Sequence, residues 1–192
     1  MGFLDEFMGS LGPDVASQMA KNLNIDADSA MKMIPQVAPL ILGGLKRQKD
    51  ERGGDARVDH ILNKYGSASV LDDIAGLVSS KARERNPDPK LGGLLGDSGV
   101  QAANMLSNQF NLSGNSSSQV ITMLAPLVLG FLTKKRDAGA GSSGIGALLD
   151  QDGDGSVLDD VAGFLMKGLG GGAQGGSDLI GGLLGGLFGG KK

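Results

Sequence analysis

The stretch Ala38-Pro39-Leu40-Ile41-Leu42-Gly43 returns 87 positions later as Ala125-Pro126-Leu127-Val128-Leu129-Gly130. The same offset aligns residues 15–80 with residues 102–167 without a gap, and 21 of the 66 aligned pairs are identical. A register that holds over this length is typical of a duplicated structural unit. The sequence therefore predicts two tandem copies of one module, and a feature that only one copy carries becomes a candidate for function.

Both stretches lie in the middle of a predicted helix, over residues 29–48 in the first copy and 116–136 in the second. Their side chains are apolar on nearly every face, which is typical of a helix buried in a core. The proline in each stretch removes a backbone hydrogen bond and bends the helix at the same place in both copies. Gly43 and Gly130 follow four residues later, and we expect both to allow close contact with a neighbouring element.

The other segments of each copy also carry helical patterns, and none shows the alternation of a strand. Apolar residues recur at helical spacing at 13–24, 58–64 and 70–83 in the first copy and at 99–111, 145–149 and 157–168 in the second. Polar loops at 50–57 and 137–144 follow the central helices. We expect helix caps from Asp28 or Ser29, Ser69, Ser98, Ser116 with Gln119, and Ser156. The sequence thus predicts an all-α fold.

Changes in composition mark the expected domain boundaries. The first helical repeat covers 1–83, a linker rich in proline, glycine and charge covers 84–97, the second repeat covers 98–168, and a Gly/Leu-rich tail covers 169–192. Each repeat is near the size at which a hydrophobic core is marginal by itself. We therefore expect the two pseudo-symmetric repeats to pack into one body through their central helices.

The tail repeats a motif from the middle of the chain. Ile180-Gly-Gly-Leu-Leu-Gly185 matches Leu91-Gly-Gly-Leu-Leu-Gly96, the stretch that leads into the second repeat. On this interpretation the tail corresponds to the stretch that precedes a repeat, but no third repeat follows it. Such a segment can dock on its own chain or on a second copy of the protein, as domain-swapped elements do. A disordered low-complexity tail is the other interpretation.

Charge and cysteine content exclude several classes of protein. The net charge of −3 provides no basic footprint for nucleic acid. The absence of cysteine excludes disulfides, thiolate nucleophiles and zinc–thiolate sites. Residues 1–9 carry two acids and no base, unlike a secretory signal, and the longest uncharged apolar runs are about half of a membrane span. We expect a cytoplasmic protein without a transmembrane segment.

Basic clusters near the ends of the two central helices have two interpretations. Cations at a helix C-terminus complement the helix macrodipole, and an anionic partner is the alternative. The clusters are Lys46, Arg47 and Lys49 in the first copy, and Lys134, Lys135 and Arg136 in the second.

The acidic loop at 150–160 is the one motif that indicates ion chemistry. Alternate acids on a tight loop supply the six to eight oxygens that calcium requires, and three of them stand at positions 1, 3 and 5 of an EF-hand-type loop with the turn glycine next. Position 12, where a bidentate Glu is expected, is a valine; an acid at position 10 replaces it in shortened loops of the excalibur type, which this loop resembles. The tentative calcium ligands are Asp150, Asp152, Asp154, Ser156 and Asp159.

The first copy provides an internal comparison for this loop. At the positions of the three acids and the turn glycine it has Asn63, Tyr65, Ser67 and Ala68, so we expect no ion there. It keeps the stretch 69–73, Ser-Val-Leu-Asp-Asp, so the Asp pair has a role without metal, stabilising a helix N-terminus by about 0.3–1 kcal/mol. A polar loop with solvated carboxylates is therefore the alternative to calcium binding.

No motif indicates catalysis. His60 is the single histidine and its counterpart is Ala147, so we expect an ordinary surface or half-buried helix residue. Tyr65 is explained as a turn residue. No glycine-rich stretch follows a strand or ends in Gly-Lys-Ser/Thr, which excludes a phosphate loop. We expect a protein without enzymatic activity.

The stretch at 125–130 and the acidic loop at 150–160 resemble the YidB-like bacterial proteins, a family of unknown function. The resemblance is strongest over about 91–168 and weaker over 1–80. It implies a small, orthogonally packed all-helical fold, and it implies no activity and no catalytic or binding residues. The degenerate loop at 63–68 departs from the pattern.

The leading functional hypothesis is a non-enzymatic interaction or scaffold protein that self-associates into a homo-oligomer through its tail. A calcium-binding helical module centred on the acidic loop is the alternative. A membrane-associating protein or an enzyme of unrecognised type is the third.

Overall fold

The computed structural model describes residues 2–140, which form seven α-helices and contain no strand. The all-α prediction is confirmed for this range. The helices are α1 (Phe3–Ser10), α2 (Gly12–Leu23), α3 (Ala27–Arg52), α4 (Gly54–Tyr65), α5 (Ile74–Ala82), α6 (Asp97–Phe110) and α7 (Gly114–Lys135). Single 3-10 turns lie at Ala68–Leu71 and Leu91–Gly93, and α7 ends in a π-helical turn at Arg136–Ala140.

The two long helices α3 and α7 pack against each other and form the centre of the core. Every residue from Val37 to Leu45 is buried, and so is every residue from Ile121 to Leu132 except the half-buried Pro126. Both helices continue through their prolines. Apolar packing along the buried parts of both helices offsets the backbone hydrogen bond that each proline removes.

The helix α7 also meets the length and composition criteria of a membrane span. Gly114–Gly139 is the one such stretch within residues 2–140, with a mean hydropathy of 1.4. In the most apolar window of this stretch, 83% of the residues are buried inside the structure. Its apolar surface is thus used for packing, as in the central helix of a protein core.

The turn before each central helix is built in the same way in both copies. Asn24 and Asn111 end α2 and α6 in the left-handed conformation, with φ of 55° and 52°, which asparagine tolerates better than most residues. Two positions later, Asp26 and Ser113 cap α3 and α7 by accepting hydrogen bonds from the backbone N–H three residues on, at 2.7 and 3.1 Å. Each pair is 87 positions apart; superposition of complete repeats stays a prediction.

The predicted caps of the central helices are wrong. We expected Asp28 or Ser29 for the first, and Ser116 with Gln119 for the second, whereas these residues lie inside the helices. The left-handed asparagine reverses the chain early, so each helix begins before the predicted cap.

Two further caps differ from the prediction. Ser98 is buried within α6, which begins after Gly96 with φ of 57°. Ser69 lies in a 3-10 turn, and α5 begins later because the carboxylate of Asp73 accepts the backbone N–H of Gly76 at 2.8 Å. A carboxylate at the first free N–H groups is a strong cap, which explains why the helix starts there.

The polar loop predicted at 50–57 is a single residue. Gly53, with φ of 129°, separates α3 from α4. An ion pair between Lys46 and Asp50 (2.8 Å) lies within the last turns of α3, and one between Lys49 and Asp55 (3.0 Å) bridges the end of α3 and the start of α4. The charged residues at 50–52, which suggested a loop in the sequence, therefore form the last turn of α3.

Two segments that precede the repeats pack on the central helix of the other copy. In α1, the rings of Phe3 and Phe7 lie 5.4 and 5.5 Å from the ring of Phe131 on α7. The stretch after Leu91 packs instead on α3, where a Cβ placed on Gly44 would lie only 2.6 Å from the carbonyl oxygen of Leu94. Gly44 and Phe131 are again 87 positions apart. The packing of these segments connects the two copies within one core.

The region after α4 also packs on the central helix of the second copy. A Cβ placed on Gly130 would lie 2.8 Å from the carbonyl oxygen of Ser67 and 2.8 Å from Cγ2 of Val70. The expectation that Gly130 allows close contact is thus confirmed. Gly43 is buried in α3.

Candidate functional site

A cavity of about 710 Å³ opens where α4, the end of α3 and the segment 84–94 meet α7. This volume falls in the range of ordinary small-ligand and peptide-anchor pockets. Its walls come from both copies, because α3 and α4 belong to the first and α7 to the second. It is the candidate functional site of the described region.

The floor of the cavity is apolar and comes mainly from the part of α7 around Pro126. Ala125, Pro126 and Leu129 line it, together with Ile61 of α4 and the buried Leu94. Because proline has no N–H, the carbonyl of the residue four positions earlier lacks its helical donor. That residue is Thr122, which also lines the cavity.

The lining carries more positive than negative charge. Four cations (Arg52, Arg57, Lys64 and Lys81) and two acids (Glu84 and Asp88) give a net charge of +2. One cation is neutralised locally, since Lys81 pairs with Glu84 at 2.5 Å. The carboxylate of Asp88 accepts the backbone N–H groups of Lys90 and Gly92, each at 2.9 Å.

Three cations of the lining remain without a carboxylate partner. Within residues 2–140, no Asp or Glu side chain lies within ion-pair distance of Arg52, Arg57 or Lys64. Arg57 is held in place because its Nε donates to Oε1 of the buried Gln48 at 3.2 Å. Arg57 thus lines the cavity in a fixed position.

An exposed aromatic ring stands beside these cations. Tyr65 lines the cavity and is 57% exposed, and it is the large hydrophobic side chain that stands out as exposed in the described part of the chain. Nζ of Lys64 lies 5.1 Å from the centre of its ring, a cation–π distance. The sequence interpretation of Tyr65 as a simple turn residue missed this surface role.

The wall formed by 84–94 is fastened at both ends. Nε2 of the buried Gln119 on α7 donates to the carbonyls of Ala82 (2.7 Å) and Glu84 (3.1 Å). At the other end, Nη2 of Arg47 donates to the carbonyls of Gly93 (3.2 Å) and Leu94 (3.0 Å). The cavity is therefore preformed, and Arg47 binds this wall instead of acting only at a helix end.

The predicted calcium ligands fall outside the described residues. Asp150, Asp152, Asp154, Ser156 and Asp159 all lie beyond residue 140. Within residues 2–140, no group of three or more His, Asp or Glu side chains is placed to hold a metal ion. His60 is exposed on α4 and does not line the cavity.

Sequence reasoning missed the cavity because its residues are scattered from 48 to 129. Gln48 and Gln119 are buried, but both stand in polar stretches of the sequence, so their burial is not evident from the sequence. A buried amide must find hydrogen-bond partners, and here the partners are Arg57 and the backbone of the wall.

A family model described as a bacterial protein of unknown function (DUF937) matches residues 5–135, which include every residue of the cavity lining. The YidB-like proteins fall within this family, so the resemblance inferred from the sequence is confirmed. No curated protein and no solved structure matches the chain significantly.

Proposed function

We propose that this chain, which belongs to the DUF937 family of bacterial proteins of unknown function, is a non-enzymatic interaction protein that binds a partner at the basic cavity. The observation that carries the proposal is the group of three cations, Arg52, Arg57 and Lys64, which have no carboxylate partner among residues 2–140 and line the cavity together with apolar residues. We expect this binding to take place in the cytoplasm.

The composition of the site supports protein recognition. Arginine and tyrosine dominate the binding energy of protein interfaces when they stand at a preformed concave surface. Arg57 is held by Gln48 and the wall is fastened by Gln119 and Arg47, so little conformational entropy is lost on binding.

The experiment is affinity capture from the native host with the full-length chain and two charge-reversal variants. The cavity variant is Arg52→Glu/Lys64→Glu. The control is Lys21→Glu/Lys32→Glu, which has the same change in net charge; Lys21 also lies in the last turn of a helix, and neither residue lines the cavity. We expect the same partner with wild type and control and its loss with the cavity variant. Equal recovery by the cavity variant would refute the proposal.

The repeat hypothesis is part of this proposal. Two structural features recur at the offset of the sequence repeat. They are the left-handed helix ends at Asn24 and Asn111, and the close contacts at Gly44 and Phe131. They support two pseudo-symmetric repeats whose joint forms the cavity.

Two further hypotheses concern residues beyond 140. Self-association through the Gly/Leu-rich tail is supported by the motif that it shares with 91–96, since that stretch packs on α3 through Leu94 and Leu95. Calcium binding by the acidic loop is supported by the three acids that the second copy adds to the pattern of the first.

A further inference from the structure

We infer that the partner presents an acidic segment, in which carboxylates flank an apolar side chain, and that this segment binds in the basic cavity. This inference rests on the proposed function and specifies the chemistry of the occupant. Charge complementarity is its first support, because the lining has a net charge of +2 in a chain whose net charge is −3.

The three cations suit carboxylates of a peptide. Arg52 and Arg57 present guanidinium groups, which bind carboxylates with two parallel hydrogen bonds. Lys64 adds a point charge on the same side of α4 as Arg57 and Ile61. Arg52 and Lys64 are exposed and Arg57 is half-buried, and positive charges that are grouped along a cleft raise the local concentration of acidic segments.

The floor of the cavity is suited to a ligand that has an apolar group as well as negative charge. Ala125, Pro126 and Leu129 offer apolar surface to a side chain, and the carbonyl of Thr122 lacks the N–H that residue 126 would otherwise donate. Inorganic phosphate has no apolar body, and an ionised carboxylate has no donor for that carbonyl. A peptide supplies all three parts: carboxylates, an apolar side chain and backbone N–H groups.

Tyr65 marks the edge of the binding surface. A tyrosine that is 57% exposed beside Lys64 and Arg57 provides a rigid apolar face with few rotatable bonds, as aromatic anchors of protein interfaces do. We expect the occupant to cover this ring.

The test is fluorescence anisotropy of the full-length chain with a fluorescein-labelled peptide of repeated Glu-Glu-Leu units. Peptides of Gln-Gln-Leu and Glu-Glu-Ser units separate the contributions of charge and of the apolar side chain. We expect Glu-Glu-Leu to bind, and each replacement, like Arg52→Glu/Lys64→Glu, to weaken binding about tenfold or more. The Lys21→Glu/Lys32→Glu control should bind as wild type does.

A milder variant guards against misfolding. Arg52→Gln/Lys64→Gln removes both charges without adding acids, and we expect it to weaken binding as well, with an unchanged circular dichroism spectrum. Equal binding of the Glu-Glu-Leu peptide by wild type and both cavity variants would overturn the inference. Tighter binding of single-stranded RNA or of inorganic phosphate at the cavity would overturn it too.

The result is separable from that of the proposed function. If the native partner is captured in a cavity-dependent way while the acidic peptide does not bind, the function stands and the acidic occupant is wrong. If neither the partner nor the peptide depends on the cavity, both proposals fail.

Discussion

At the scale of single residues, Asp26 and Ser113 perform the same task with different chemistry. Both accept the backbone N–H three residues on and start a central helix. Only Asp26 is charged, and hydrogen bonds from the side chain and backbone of Ser29 lower the pKa of its carboxyl group below 3.8. A carboxyl whose pKa is lowered by folding stabilises the fold above its unfolded pKa, and this stabilisation is lost as pH falls through the folded value.

We predict that Asp26→Ser removes this part of the acid sensitivity. The free energy of unfolding of wild type should exceed that of the variant near neutral pH, and the two should converge below pH 3.8. Ser113→Asp is the matched reverse change and should gain the same dependence. Urea unfolding at several pH values measures both, and a gap between wild type and Asp26→Ser that does not vary with pH would contradict the prediction.

Calcium binding is also decided by single residues. If the acidic loop binds calcium, millimolar calcium should raise the Tm of the full chain, because a ligand that binds only the folded state stabilises it. Asp152→Ala/Asp154→Ala should abolish the shift. Asp72→Ala, at the position of the first copy that corresponds to Asp159, should keep it. A wild-type Tm that calcium leaves unchanged would exclude the site.

At the scale of helices, Gly130 allows the segment 66–71 to pack directly on α7. We predict that Gly130→Ala destabilises the protein by about 1–3 kcal/mol, since the added Cβ forces backbone to move. Gly114→Ala is the control: nothing lies within 4 Å of a Cβ there, and Ala in a helix should stabilise by about 0.4–1 kcal/mol. Equilibrium unfolding of both variants tests the opposite signs, and equal effects would show that contact is not the cause.

At the scale of the whole molecule, both central helices are covered by segments that lie far from them in the chain. The helix α1 and the segment 66–71 pack on α7 at Phe131 and Gly130, and the stretch after Leu91 packs on α3 at Gly44. The cavity lies where these elements meet, since its lining comes from α3, α4, the segment 84–94 and α7.

The repeat makes a quantitative prediction about Gly43. Its counterpart Gly130 contacts Val70, whose own counterpart is Val157. A double-mutant cycle of Gly43→Ala with Val157→Ala should therefore give a coupling energy of about 0.5–3 kcal/mol. The cycle of Gly130→Ala with Val70→Ala is the positive control. Coupling in the control alone would disprove pseudo-symmetry at this contact.

Self-association is a property of the complete chain. If the tail docks on a second copy, deletion of residues 170–192 should lower the oligomer mass measured by light scattering. The deletion should leave the helical circular dichroism signal of residues 2–140 in place. An unchanged mass would exclude the tail as the site of assembly.

The sequence by itself determined the helical class, the two central helices and the need for glycine at 130, because these follow from local periodicity and from the repeat. It also indicated the family. It did not determine the helix starts, since a left-handed asparagine and a capping carboxylate compete with nearby serines over differences of about 1 kcal/mol. Only the tertiary structure decided that Arg52, Arg57 and Lys64 line one cavity with Pro126 of α7, because burial and charge balance there depend on contacts between residues that are far apart in the chain.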